Sequence, residues 1–144
     1  MAVTALDTSI TKTYTLKRDP DIGKAGATTF DLGSIPARVL GSIKDKSTSF
    51  LSDAKGEEIN TVVQQNKTNI DIVSIGLRGW SNFQNSKGQD VPFETTKRNI
   101  AGQSLVVADD ATMDMLQLED IIELAEQILS INEVETEKKK KSAK

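Results

Sequence analysis

The chain has 144 residues, the size of a single domain, and its 37% hydrophobic and 4% aromatic content predicts a modest aliphatic core. It contains no His and no Cys, which excludes imidazole- or thiolate-based catalysis, disulfides and zinc sites with those ligands. The formal charge is −3, but a basic C-terminus (Lys138, Lys139, Lys140, Lys141 and Lys144) offsets an acidic body that disfavours nucleic-acid binding.

The first 28 residues are predicted to form an extended arm that carries a strand. Residues 11–17 combine β-branched side chains with rough alternation, which favours a strand. Pro20 and the glycines that follow it then predict an irregular connection. A second strand is expected over residues 28–32, with Phe30 and Leu32 on one face.

Two helices are predicted next. Ser34 is a suitable N-cap and Pro36 suits a first helical turn, so the first helix is expected over residues 36–46. Apolar residues recur at helical spacing from Ile59 to Trp80, which predicts one long amphipathic helix over this range. Residues 95–103 are mostly polar and predict no element, and residues 105–107 favour one short strand.

The sharpest helical pattern lies near the C-terminus. Its apolar positions are Leu118, Ile121, Ile122, Ala125, Ile128 and Leu129, and Leu124 and Ile131 widen the apolar stripe. Two acidic residues, Glu119 and Asp120, fall in the first turn, where negative charge suits the helix dipole. These features predict a helix over residues 118–131.

The elements together predict an α+β fold that is mainly helical: a small N-terminal β element followed by three to four amphipathic helices. The arm would occupy residues 1–28 and one globular domain residues 29–134. Residues 135–144 are expected to be a charged flexible tail, because no sizeable apolar residue follows Val134. No apolar run reaches membrane-spanning length and no signal-peptide pattern is present, so no membrane partner is expected.

The carboxylates at Asp109 and Asp110, with Asp114, Glu119 and Asp120 nearby, are candidates for a Mg²⁺ or Ca²⁺ site. Their spacing does not match a calcium-binding loop, and helix capping explains them more simply. No glycine-rich phosphate motif or nucleophile–base pair is present. The sequence therefore predicts no enzyme, no cofactor and no metal.

Two groups of residues are candidates for contact with a partner. Arg78, Trp80 and Phe83 concentrate aromatic and guanidinium surface, the residue types that dominate protein interfaces. They are interpreted either as a core plug or as a partner anchor. The second group is the apolar stripe of the C-terminal helix, with Leu118, Ile121, Ile122, Ala125 and Leu129 as partner-binding residues.

Residues 75–83 (IGLRGWSNF), followed by GQDVPF at 88–93, resemble a block in small proteins encoded among the structural genes of tailed bacteriophages. Residues 18–20 (RDP), 27–32 (ATTFDL) and 43–46 (IKDK) resemble the opening of the same group. The downstream pattern around Leu118, IELA at 122–125, Ile128 and Asn132 is similar as well. The resemblance covers most of residues 14–135, and its motifs are structural.

The layout also resembles that of tail assembly chaperones, with a short β opening, a middle helix, an acidic C-terminal helix and a charged tail. The resemblance implies a non-enzymatic factor in virion morphogenesis that binds the tape-measure protein or another structural subunit in the host cytoplasm. The alternative is a structural component of the virion, such as a capsid cement or decoration protein or a head–tail adaptor. Self-association stays open in both.

Overall fold

The computed structural model describes residues 11–54 and 58–142, with side chains described for residues 11–45 and 65–131. Nine elements follow in chain order: β1 Thr11–Tyr14, β2 Thr29–Gly33, α1 Ala37–Ala54, α2 Glu58–Gly76, β3 Leu77–Ser81, β4 Thr95–Ile100, β5 Gln103–Ala108, α3 Asp110–Met113 and α4 Leu118–Ser142. None of the helices in these ranges is long and apolar enough to cross a bilayer.

The first three strands form one antiparallel sheet in the order β1-β2-β3. Phe30, in the central strand, pairs with Tyr14 on one side and with Trp80 on the other. Alternation along β2 turns Phe30 and Leu32 to the interior, where both are buried. This sheet therefore supplies one wall of the core.

Strands β4 and β5 form a separate antiparallel hairpin. Ile100 pairs with Gln103, so the turn contains two residues, Ala101 and Gly102, with φ of 52° and 76°. Two consecutive positive φ angles are typical of the tight hairpin turn whose twist matches that of the strands. The face of the hairpin that carries Val107 and Ile100 joins the core, and Val106 is exposed on the opposite face.

The core lies where α2 and α4 pack together beneath β2. Ile72 and Val73 on α2 and Leu124 and Ile128 on α4 are almost completely buried. Gly76 ends α2 against Ile128, where a Cβ atom would come within 2.7 Å of two Ile128 carbon atoms. The absent side chain is therefore what allows the two helices to approach at this point.

The prediction of a mainly helical fold, with a small N-terminal β element followed by three to four amphipathic helices, is wrong. The described residues form five strands in two antiparallel sheets beside four helices, which is an α+β fold without helical dominance. Three of the strands, β3, β4 and β5, lie in the second half of the chain.

The predicted long helix ends at Gly76, and the residues after it form β3. Leu77 and Trp80 match helical spacing, but in the structure they pair with β2. Pairing with this strand provides hydrogen bonds for their backbone groups as well as a helix would. No hydrophobic pattern predicted strand β4, because its residues from Thr95 to Asn99 are all exposed. The strand predicted over residues 11–17 is confirmed only for its first part, because β1 ends at Tyr14. The strand predicted over residues 28–32 is confirmed as β2, and the helix predicted over residues 118–131 lies within α4.

Candidate interaction surface

Helix α4 presents three different sides over its first three turns. Its inner side carries Ile121, Leu124, Ala125 and Ile128, all buried in the core. Two residues of the predicted partner-binding stripe, Ile121 and Ala125, thus contribute to the chain's own interior. This packing fixes the orientation of the helix and so determines what its other two sides present.

The second side of α4 holds the N-terminal segment. Arg18 donates to both carboxylate oxygens of Asp120, Nε to Oδ1 at 2.9 Å and Nη2 to Oδ2 at 2.7 Å. The Asp120 side chain is only 5% exposed, so this two-point pairing compensates the burial of its charge. The hydrogen bond to Asp120 raises the pKa of Arg18, although burial opposes the shift.

Glu123, on the same side, accepts two hydrogen bonds from the segment that follows β1. The Tyr14 hydroxyl and the Lys17 backbone N–H both donate to Glu123 Oε2. Burial, followed by the hydrogen bond to Glu123 and the charges of Glu123 and Glu126, raises the pKa of Tyr14 to about 12. The helix thereby fixes residues 14–18 through side chains more than 100 positions away.

The third side of α4 is apolar and open. Leu118 is 46% exposed, and Ile122 and Leu129 are half-buried. These positions are four and seven residues apart, so they align along one side of the helix, beside the buried Ala125. We call Leu118, Ile122 and Leu129 the α4 apolar line.

Trp80 and Phe83 belong to an aromatic cluster of the chain itself. The Trp80 ring makes edge contacts with Phe30, Phe83 and Phe93, at centroid distances of 6.2, 4.8 and 5.0 Å. Its Nε1 donates to the Val91 carbonyl oxygen at 2.7 Å. The cluster joins β2 and β3 to the loop that leads to β4, so these side chains have a structural use inside the chain.

Arg78 extends back across the sheet. Its Nη2 donates to the Ser34 carbonyl oxygen at 2.9 Å, and its guanidinium lies over Gly33, where a Cβ atom would be 2.6 Å from Nε. Partial burial lowers the pKa of Arg78. The arginine therefore connects β3 to the segment that leads into α1.

The eight predicted partner-binding residues fall in two separate places, the aromatic cluster with Arg78 and helix α4. Of those on α4, Leu118, Ile122 and Leu129 have apolar surface that the described part of the chain leaves uncovered. Contact of any of the eight with a partner stays a prediction.

The structure also contains features that the sequence did not indicate. A cleft of about 1060 Å³ lies between α2, β4 and α3. The β4 side of the cleft is polar, which is why hydrophobic patterning gave no indication of it. Asp109 at its end accepts a hydrogen bond from the Thr112 N–H and caps α3, as the capping interpretation predicts.

No three acidic side chains in the described ranges come close enough together to hold a metal ion. Comparisons with protein-family models, curated proteins and solved structures found no match to this chain.

Proposed function

We propose that this chain is a non-enzymatic binding protein of tailed-phage virion assembly. In this proposal it acts as a tail assembly chaperone-like factor and holds an apolar helix of the tape-measure protein or of another phage structural protein. The observation that carries the proposal is the α4 apolar line, a row of aliphatic side chains left partly open on a helix whose inner side is already packed. The resemblance described above supports the phage context.

The geometry of the line suits an apolar helix as the partner. Leu118 and Ile122 are one turn apart, and Leu129 lies two turns further along, which is the spacing that helix-in-groove contacts use. Exposed Glu119 and Glu126 lie along one side of the line, so a charged margin borders the apolar residues there. Such a margin keeps the unbound protein soluble.

Binding at one such line would be weak. Complete burial of an aliphatic side chain contributes about 1.5–3 kcal/mol, so covering the remaining surface of three half-open side chains yields roughly 3 kcal/mol in total. A single contact of this strength does not offset the entropy lost on association. A long partner that binds many copies side by side would supply the missing stability through avidity.

Replacing Leu118 by Asp tests the proposal. Position 118 begins α4, where a carboxylate is tolerated by the helix dipole, so the fold should survive while the apolar line is interrupted. Tagged wild-type chain from infected cells is expected to co-purify with a long phage structural protein, and Leu118→Asp is expected to lose it.

The matched control is Ile22→Asp, because Ile22 is a similarly exposed apolar residue, at 53%, in a loop outside α4. This variant should retain the partner. Equal retention by Leu118→Asp and Ile22→Asp would contradict the proposal.

The alternative, a structural virion protein, is favoured by one separate observation. Strand β4 is an outer strand of its hairpin with exposed residues from Thr95 to Asn99, and unpaired edges of this kind join subunits in assemblies. Quantitative mass spectrometry of purified particles distinguishes the two candidates. High copy number in mature particles would replace the chaperone proposal with the structural one, and absence from them would eliminate the structural one.

A further inference from the structure

The outer edge of β4 carries backbone groups with no partner in the described residues. Ile100 and Gln103 close a two-residue turn and so form a hydrogen-bonded pair, after which bonding alternates along the hairpin. The Asp109 N–H bond to the Glu94 carbonyl oxygen, at 3.1 Å, fits this alternation. The backbone groups of Thr95, Lys97 and Asn99 therefore point away from β5.

Space beside this edge is open. The 1060 Å³ cleft adjoins Thr95, Thr96 and Lys97, and its opposite wall is α2, where Ile70 is partly exposed. An added strand would continue the hairpin sheet and would cover this apolar residue. The edge is therefore sterically able to accept a strand.

We infer that the strand that pairs with β4 is β4 of a second copy of this chain, in an antiparallel contact about a two-fold axis at Thr96. The two copies can form hydrogen bonds only in registers that place an outward-pointing residue of one copy opposite an outward-pointing residue of the other. Since every second residue points outward, the two-fold axis must pass through a residue of β4 and not between two residues. An axis at Lys97 would oppose two lysines, and an axis at Arg98 would oppose two arginines. An axis at Thr95 would place Arg98 opposite Pro92 and Glu94 opposite Thr96, so neither charged residue would meet an opposite charge.

The axis at Thr96 gives complementary charges. Arg98 of each copy then lies opposite Glu94 of the other, and Thr96 pairs with Thr96. The outward backbone groups of Thr95 and Lys97 bond to each other in both directions. The result is a continuous four-stranded sheet, and it contains the same salt bridge twice because the contact is two-fold symmetric.

Arg98 is available for this contact. Its Nη1 lies 3.4 Å from Asp71 Oδ1, a long contact on a side chain that is 47% exposed. A guanidinium has five N–H donors, so Arg98 can keep Asp71 and still bind Glu94 of the second copy. The Glu94 side chain belongs to an exposed residue on the same face of the strand.

Charge reversal with analytical ultracentrifugation of the full chain tests this contact. Wild-type protein is expected to show a concentration-dependent monomer–dimer equilibrium. Glu94→Arg and Arg98→Glu should each raise the dimer dissociation constant roughly tenfold or more, because each reversal opposes like charges at two symmetric places. An equimolar mixture of the two variants should dimerise again, because each reversed residue then meets an opposite charge.

The matched control is Arg38→Glu, which reverses an exposed arginine on α1 and should leave the dissociation constant unchanged. Recovery in the mixture cannot arise from misfolding of the single variants, so the test does not depend on their stability. A wild-type chain that stays monomeric at every concentration would overturn the inference, and so would a mixture that does not re-form the dimer. If Leu118→Asp abolishes the dimer and both charge-reversal variants keep it, the interface lies on α4, and this result would also overturn the inference.

This contact is on a different surface from the α4 apolar line. Its failure would leave the proposed function untouched, and failure of the partner-binding test on Leu118 would leave this inference untouched.

Discussion

Individual side chains far apart in sequence hold the N-terminal segment on α4. Asp120 is buried at the start of the helix and is paired by Arg18, and Glu123 accepts from Tyr14. Neither pairing could be predicted, because the sequence shows only acidic residues in a first helical turn, which the helix dipole explains equally well. What distinguishes a buried pair from a solvated one is the location of a partner about 100 residues away.

Tyr14 should titrate abnormally. The chain contains one tyrosine, so tyrosinate absorbance reports this residue alone. Its pKa is raised from 10.0 to about 12, chiefly by burial and then by the hydrogen bond to Glu123. The folded state therefore disfavours ionisation, and the stability that Tyr14 contributes is complete below pH 10 and is lost as the pH rises through about 12.

We expect a spectrophotometric midpoint near 12 in the wild type, and a lower midpoint in Glu123→Gln, which removes the neighbouring charge. A wild-type midpoint at the ordinary value would show that Tyr14 is not held against α4.

Substitution by alanine should change the stability of the fold in opposite directions at Gly76 and at Gly41. A Cβ atom at Gly76 would lie 2.7 Å from Ile128, so Gly76→Ala should destabilise the fold by about 1–3 kcal/mol. Gly41 lies within α1 with nothing inside 4 Å of a Cβ atom, so Gly41→Ala should stabilise it by about 0.5–1 kcal/mol through helix propensity. Urea unfolding measures both, and a loss of stability no larger at Gly76 than at Gly41 would argue against the close packing of α2 on α4.

At the scale of elements, the sequence predicts the helices and strands that bury one face, and it does not predict the elements that lack a buried face. Strand β2 and helix α4 bury alternating or helically spaced apolar residues, so their patterns are visible. Strand β4 has exposed residues along most of its length and therefore no such pattern. The sequence did not predict the boundary between α2 and β3. Leu77 and Trp80 are three residues apart, and this spacing is compatible both with a helix and with a strand whose Trp80 side chain packs in the aromatic cluster.

The aromatic cluster around Trp80 should be a stabilising unit that joins β3 to the following loop. Trp80→Ala removes the edge contacts with Phe30, Phe83 and Phe93 and should destabilise the chain by about 2–3 kcal/mol. Trp80→Phe keeps a ring but loses the bond to the Val91 carbonyl oxygen, and should cost about 1 kcal/mol.

Thermal unfolding followed by circular dichroism measures both Trp80 variants. Unchanged stability in Trp80→Ala, together with weakened partner binding, would instead support the anchor interpretation.

At the scale of the whole molecule, we assign two surfaces of the described residues to the proposed contacts. The α4 apolar line offers aliphatic side chains to a helix, and the β4 edge offers backbone groups to a strand. They lie on different elements and use different forces, so one copy could hold an apolar partner and still pair with its neighbour. Paired copies would raise the avidity that the weak individual lines require.

The candidate site could be predicted only in part. Helical periodicity predicted the apolar positions of α4 from Leu118 to Ile131, but it could not separate Ile121 and Ala125, which are buried, from Leu118 and Ile122, which retain exposed surface. The separation depends on where α2 and β2 contact the helix, and this is tertiary information. The sequence shows that aromatic residues are concentrated at Trp80 and Phe83, but it does not show that their side chains pack inside the chain.

Site-specific photo-crosslinking in infected cells tests the central claim, that the chain works by binding through the α4 apolar line. A photoreactive residue placed at Leu118 or Ile122 should crosslink to an apolar helical segment of one long phage structural protein. The same residue at Ile22, an exposed apolar position outside α4, should not. Absence of crosslinks from Leu118 and Ile122, or an equal yield from Ile22, would contradict the account.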